Sequence, residues 1–556
     1  MGTNNKSFYQ TLSADAVILG GGLAGITAAN ECAAAGLSVV MVIKRGLCSG
    51  SSFYPLTSSL GCQATGSEED REWFFREQQD SGAGMQDDKL SMIYIDEIRE
   101  RVPALDKMGI SHMIPKESRK ACFAQRERFH FRMTELQANK ATIGSTLRKY
   151  PKVKILEYCD ALTLIKEGDR VAGVVAADYQ SRLYYIKATS VMLATGGYGG
   201  LYKHSLNTDD VCGLGHAMAL QAGAKMVNLE FVQFIPGVIT PTYKLLFSEV
   251  SLQYCEGLFN KEGEDILEKY LPEGVCEREC IESRSGHGPF TNKDISRYFD
   301  ICMMSEILRT GEEGGFRVKY NRDMFESEKC KEYIAFAKAN NVDLTKESLW
   351  IAPFGHAANG GVLIDENTAT TVPGLYAAGE VAGGIHGADR HGGNATGCCL
   401  VFGHRAALSM IRNKRDKISA PDENQAMEQY LAGIDSGKSG CVSAEEALTV
   451  IKNNLWKKCN VVRTETHLSE ALTAVRDIKA NYNAAMQIRA GAPIGQSVGA
   501  YHSLITAEAL LLAAYGRKES RGAHYRQDFP EQNDKQFGSR QFIFMSGEKL
   551  DNDFER

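Results

Sequence analysis

Residues 14–45 read ADAVILGGGLAGITAANECAAAGLSVVMVIKR, with Gly20, Gly22 and Gly25 set between two β-branched runs. The runs VILG and VVMVI predict strands, and the small residues between them predict a helix. Two strands joined through a helix make a βαβ unit of a parallel sheet, so this stretch commits the chain to an α/β architecture. Gly20-x-Gly22-x-x-Gly25 stands at the strand-to-helix turn. There the first glycine permits the tight turn, the second lets backbone approach a pyrophosphate, and the third lets the helix pack on the strand. The helix start, with Leu23 and Ala24, offers free N–H groups and a partial positive charge. An acidic residue that would hold a ribose is missing at the end of the second strand, where Ile43-Lys44 stands. A nicotinamide dinucleotide is therefore disfavoured. Lys44 is left either to contact adenosine or phosphate or to be solvated.

The style of the sequence changes along the chain. A Gly/Ser-rich loop spans 46–67, helical patterns run from 68 to about 108, and strands are predicted over 153–194 up to Thr195-Gly196-Gly197. The stretch 241–349 is charged and rich in short turns, and predicts an inserted α+β unit. Glycine-rich strand character returns after 351, so the first domain is expected to resume there. The expected divisions are 1–240, 241–350, 351–412 and a helical C-terminal domain with a polar tail over 426–556. The tail after residue 528 is expected to lie on the surface. A net charge of -6 gives no footprint for nucleic acid. No apolar run approaches the ~18 residues of a membrane span, and the start lacks a signal-peptide core. Fifteen Cys without a CxxC pair argue against a metal site or an iron–sulfur cluster and fit free thiols, so a cytoplasmic location is expected.

Three later segments carry a resemblance. They are residues 194–236, residues 355–407, and the pair LSEALTAVRDI and LLLAAYGRKESRGAHYRQDFPE. With the N-terminal turn, and in this order, they resemble the flavoprotein subunits of fumarate reductase and succinate dehydrogenase, a family that includes L-aspartate oxidase. The resemblance implies a Rossmann-like FAD-binding domain interrupted by a capping domain, then a helical C-terminal domain. It implies hydride transfer between flavin N5 and a carbon beside a carboxylate. Cofactor contacts are expected from Gly20, Gly22, Leu23, Ala24, Gly25, Lys44, Ser51, Ser52, Thr195, Gly196, Gly197, Glu380, Asn394, Ala395 and Thr396. Glu380 ends a buried strand, where it could accept hydroxyl hydrogen bonds. The helix after Gly393 would aim its N-terminus at the flavin.

His356 and Arg390 match the family's substrate residues, in HxxxGG and HGAxRxGGN motifs. Arg holds a carboxylate through two parallel bonds, and His adds a donor. Ser248 and Glu249 match a Thr-Glu pair for substrate binding and proton delivery. Three departures stand out. The loop SGSSFYPLTSS has no His for a covalent flavin bond, so noncovalent FAD is expected. Ile235 replaces a substrate His in the FxQxHP pattern. Asn292, or Lys293 after a one-residue shift, replaces the proton-donating Arg, and only Lys293 could donate a proton. A substrate with one carboxylate and a less polar far end follows, because a buried second carboxylate would lack a donor. Electrons would come from a separate iron–sulfur or flavin protein. The alternatives are an L-aspartate-oxidase-like enzyme and an electron-transfer subunit without substrate chemistry of its own.

Overall fold

The structure is a computed structural model, and it describes residues 7–54, 60–114, 118–435 and 441–555. The predicted unit forms as β1 (Gln10–Leu19), α1 (Leu23–Ala34) and β2 (Val39–Ile43). All five residues of β2 are buried, as expected of a parallel strand covered on both faces. β1 pairs in parallel with β2 and with the strand Leu183–Leu193, and β2 pairs with Val153–Glu157. The antiparallel strands Cys159–Glu167 and Arg170–Asp178 extend the first half of Leu183–Leu193. Its second half pairs with Leu375–Ala377, through Val191↔Leu375, Met192↔Tyr376 and Leu193↔Ala377. The chain thus returns to its first sheet after a long excursion.

The excursion is built on a second sheet of four antiparallel strands, in the order Val232–Thr240, Trp350–Ala358, Phe316–Tyr320, Cys255–Phe259. Its two outermost strands in sequence flank the charged stretch and pair with each other. The sheet therefore starts before residue 241 and ends after 350, because strands that leave and re-enter the body side by side bury their backbone groups in one ladder.

The C-terminal region is helical, from Glu423–Ile434 to Ile494–Gly516. Among the described residues, Ile494–Gly516 is the one helix long and apolar enough to cross a membrane, a length that the apolar runs of the sequence did not suggest. In the fold 83% of its apolar window is buried, and a helix apolar all round is what a core position requires. The polar tail is not simply laid on the surface. Gln541–Ser546 and Lys549–Phe554 form a hairpin whose first strand pairs with Met226–Val227, adding two strands to a small sheet. Its alternating pattern, QFIFMS, is short, and its partner lies some 300 residues away. The helix Asn394–Arg412 lies tight against α1. A Cβ on Gly403 would stand 2.8 Å from the Ala24 carbonyl oxygen.

Candidate active site

A cavity of about 320 Å³ runs from the glycine turn to His356, His386 and Arg390. The three glycines differ in what a side chain would meet. Gly20 has φ +122°, and a Cβ there would lie 2.1 Å from the Ala194 carbonyl oxygen. On Gly25 it would lie 2.2 Å from the Gly20 carbonyl oxygen, so the helix sits directly on the strand. On Gly22 the nearest atom is Ser52 Oγ at 3.7 Å, which leaves the backbone open to the cavity. These are the three roles that the spacing predicts.

Two helix N-termini meet at this cavity. α1 starts after Gly22 with no side-chain cap, and Leu23 and Ala24 line the wall. Asn394–Arg412 starts after Gly393, again uncapped, with Ala395 and Thr396 in the wall. Ser52 Oγ accepts the Leu23 N–H at 3.4 Å, and Ser51 Oγ accepts from Asn207 Nδ2 at 3.5 Å. Both serines line the cavity, on the 3₁₀ turn Ser51–Phe53. Residues 55–59, the rest of the loop expected to lack a flavin-linking His, lie outside the described residues. Lys44 is in the wall with its Nζ 3.3 Å from Asp160 Oδ1, so it is a paired group and not a solvated strand end.

Thr195 and Gly196 also line the cavity, and Thr195 Oγ1 is buried without a hydrogen-bond partner in the protein. Gly25, Gly197 and Asn394 do not line it. The Gly197 N–H donates to Glu380 Oε2 at 3.2 Å, and the Ala358 N–H to Oε1 at 3.0 Å. Glu380 thus pins the turn after Leu183–Leu193 to the end of the strand that carries His356. Burial pushes its carboxyl above the usual range, against those two N–H groups and Arg390.

His356 is aimed by a β-bulge. Gln233 pairs with Ala357 and Phe234 with Gly355, which leaves His356 as the extra residue. A bulge redirects a side chain and interrupts the ladder locally. Arg390 Nη2 donates to His356 Nε2 at 3.3 Å, which requires that nitrogen to be unprotonated. Burial, then the Arg390 charge, pushes His356 down to about 3, so the ring is neutral at physiological pH. Arg390 is fixed through its backbone, whose carbonyl accepts from Gln233 Nε2 at 3.3 Å. Its Nε has no partner in the protein. The site therefore presents a guanidinium with spare donors, backed by a neutral imidazole, against two helix N-termini and a glycine cradle. That donor set suits a dinucleotide with a carboxylate beside it.

Several expected residues are not brought to this cavity. Lys293 is exposed, and its ammonium binds the Asp80 carbonyl and lies 3.5 Å from the Asp80 carboxylate. It is engaged by that acidic partner and does not line the cavity, so a proton-donor role is not supported. Asn292 Oδ1 accepts from Arg297 at 3.2 Å instead. Ser248 precedes the 3₁₀ turn Glu249–Tyr254, and its carbonyl accepts the Ser251 hydroxyl at 2.7 Å. Glu249 Oε1 stands 3.7 Å from the Cβ position of Gly288, within the inserted unit. Ile235 is 8% exposed opposite Phe354 and lies outside the cavity wall, whose apolar residues include Leu246.

Other wall residues were not singled out in the sequence. His386 opens the HGAxR motif and carries a partnerless Nδ1, and burial with Arg390 pushes it down to about 3. The motif could have flagged it. Cys398, Cys399, Asn207 and Lys244 also line the wall, and nothing in their local spacing marks them.

Comparison with known proteins gives the family and the fold. The family described as FAD binding domain matches residues 15–396, and that described as Fumarate reductase flavoprotein C-term matches residues 449–555. A fumarate reductase (CoM/CoB) polypeptide of Methanothermobacter marburgensis is 27% identical over 543 residues, covering 93% of this chain and 94% of that protein. L-aspartate oxidase of Streptomyces coelicolor is 27% identical over 555 residues, covering 94% and 90%. FrdA of the E. coli quinol fumarate reductase superimposes with a TM-score of 0.78 at 23% identity, covering 98% of this chain and 97% of that one. The chain belongs to the FAD-dependent oxidoreductase family of the fumarate reductase and succinate dehydrogenase flavoproteins, a family that also includes L-aspartate oxidase.

Proposed function

We propose that this chain reduces or oxidises a carbon–carbon bond beside a single carboxylate, with FAD held noncovalently. The observation that carries the reading is the Arg390–His356 pair, 3.3 Å apart, in the same cavity as the glycine turn. When bound, FAD supplies the hydride chemistry. Gly20 and Gly22 with Ser51 and Ser52 would hold its pyrophosphate, with Gly25 seating the helix on the strand; Lys44 would face its adenosine end, and Ala395 and Thr396 its ring. Arg390 would grip the substrate carboxylate, and neutral His356 would orient it through its remaining ring N–H. The two wall lysines are already engaged, Lys44 by Asp160 and Lys244 by Asp209 and the Asn207 carbonyl. With Leu246 in the wall, a distal carboxylate would meet apolar surface. That favours a monocarboxylate enoate over fumarate. Ser248 and Glu249 remain with the inserted unit, which we divide from the FAD-binding parts at residues 240 and 351, with the C-terminal region from 426.

Electrons would come from a separate iron–sulfur or flavin protein, and the chain would work in the cytoplasm without entering a membrane. Neither nucleic acid nor a metal ion enters this reading.

The test is anaerobic reduction of the flavin followed by reoxidation. Crotonate-type acceptors should reoxidise it faster than fumarate. Fumarate turning over at least as fast would overturn the apolar far end. Reoxidation by oxygen alone, with peroxide formed from L-aspartate, would favour the oxidase reading. Reoxidation only by an electron-carrier protein would favour the subunit without its own substrate. The attachment has its own measurement. Acid precipitation should release all of the yellow cofactor into the supernatant, whereas colour left in the pellet would show a covalent bond.

A further inference from the structure

Three consecutive residues of the inserted unit each bind a different part of the body. Thr291 Oγ1 donates to Asp389 Oδ2 at 2.7 Å. The Asn292 N–H donates to the Gly522 carbonyl at 2.9 Å. Lys293 Nζ binds Asp80, in the last turn of the helix Glu68–Gly82. The segment lies between the helices Glu277–Arg284 and Arg297–Thr310, and it faces Asp389, the residue before Arg390. It is also the segment where the family resemblance leads one to expect a proton donor.

Asp389 is the unusual member. It is wholly buried, its Oδ2 has the Thr291 hydroxyl, and its Oδ1 has no hydrogen-bond partner in the protein. The charged groups facing it are Lys293 and Asp294 from the inserted unit and Asp80 from the helix Glu68–Gly82, with Arg390 next in its own segment. A buried carboxyl with one hydroxyl donor is poorly prepared to hold a charge. We propose that residues 291–293 form a seam closing the inserted unit onto the body beside Arg390, and that ionisation of the Asp389 carboxyl loosens it. On loosening, the proton of Asp389 passes to water and the Thr291 bond exchanges for bonds to solvent. The seam stands whatever acceptor the cavity takes.

The pH window follows from proton linkage. Burial, outweighing the Thr291 bond and Lys293 and assisted by Asp294 and Asp80, pushes the Asp389 carboxyl from 3.8 to about 7. The closed seam therefore binds a proton that the opened, hydrated carboxyl releases. Closure is strongest at acid pH, weakens by at most about tenfold per pH unit as pH rises toward about 7, and is constant above it.

Hydrogen exchange of the flavin-loaded, full-length enzyme tests this. The readout is the Asn292 amide, which is bonded to Gly522, with its intrinsic pH dependence divided out. Its opening constant should rise by up to about 50-fold between pH 5 and 7 and by at most about twofold more above. D389N should remain protected and flat with pH. T291V should open more at every pH, and T291S should restore the wild-type profile. A wild-type profile flat from pH 5 to 8 would overturn the proposal, as would D389N that keeps the wild-type slope. If D389N does not fold, the wild-type profile with the two Thr291 variants decides.

Discussion

Replacing Arg390 with Ala lowers kcat/KM by about 10²–10³-fold for the carboxylate acceptor identified in the reoxidation experiment, while the flavin stays bound. The magnitude is that of removing one partner from a buried, charge-assisted contact. Arg390 is held from behind by Gln233 and shares a bond with His356, so its spare donors are preset for an incoming carboxylate. Preset donors avoid reorganisation during the reaction. Lys at this position restores only part of the loss, because an ammonium is a point charge without the planar fork. Steady-state kinetics on the two variants, with flavin content measured by absorbance, checks this. Turnover unchanged in the Ala variant would mean that the carboxylate is held elsewhere.

Gly20→Val yields protein that is depleted of flavin and melts about 5 °C lower, the shift expected for about 3 kcal/mol in a domain of about 300 residues. The glycine sits at φ +122°, a conformation that costs a side-chain-bearing residue about 1–3 kcal/mol. A Cβ would also stand 2.1 Å from the backbone oxygen of Ala194, which the end of the sheet cannot move away cheaply. The displaced turn would carry Leu23 and Ala24, the first residues of the uncapped helix, out of the cavity wall. Thermal melting with flavin fluorescence reads both effects together. Full flavin occupancy at an unchanged midpoint would show that the turn is not needed to hold the cofactor.

The fold and one end of the site were legible because their signals are local. The glycine spacing between two β-branched runs specifies β1, α1 and β2, and each of the three glycines is used as that spacing predicts. The motifs around His356 and Arg390 identified the pair that the structure brings together. The hairpin Gln541–Ser546 with Lys549–Phe554 was not legible, because its partner strand, Met226–Val227, is two residues long and remote in the chain. Lys293 was misplaced for a related reason. A one-residue shift decides between Asn and Lys in an alignment, but the position of Asp80, set by the end of another helix, decides where the ammonium goes.

The sequence by itself determined the parallel α/β core and the glycine cradle, and its motifs, by their resemblance to the family's, pointed to Arg390 and His356. These depend on residue type and short spacing, which the chain carries without reference to its folded form. Tertiary structure alone decided that Glu380 accepts from the Gly197 and Ala358 amides, that His356 stands out of its strand on a bulge, and that Asp389 is buried against Thr291. Each of those depends on groups far apart in sequence. Their burial is what sets charge, pKa and direction, and burial exists only once the chain has closed on itself.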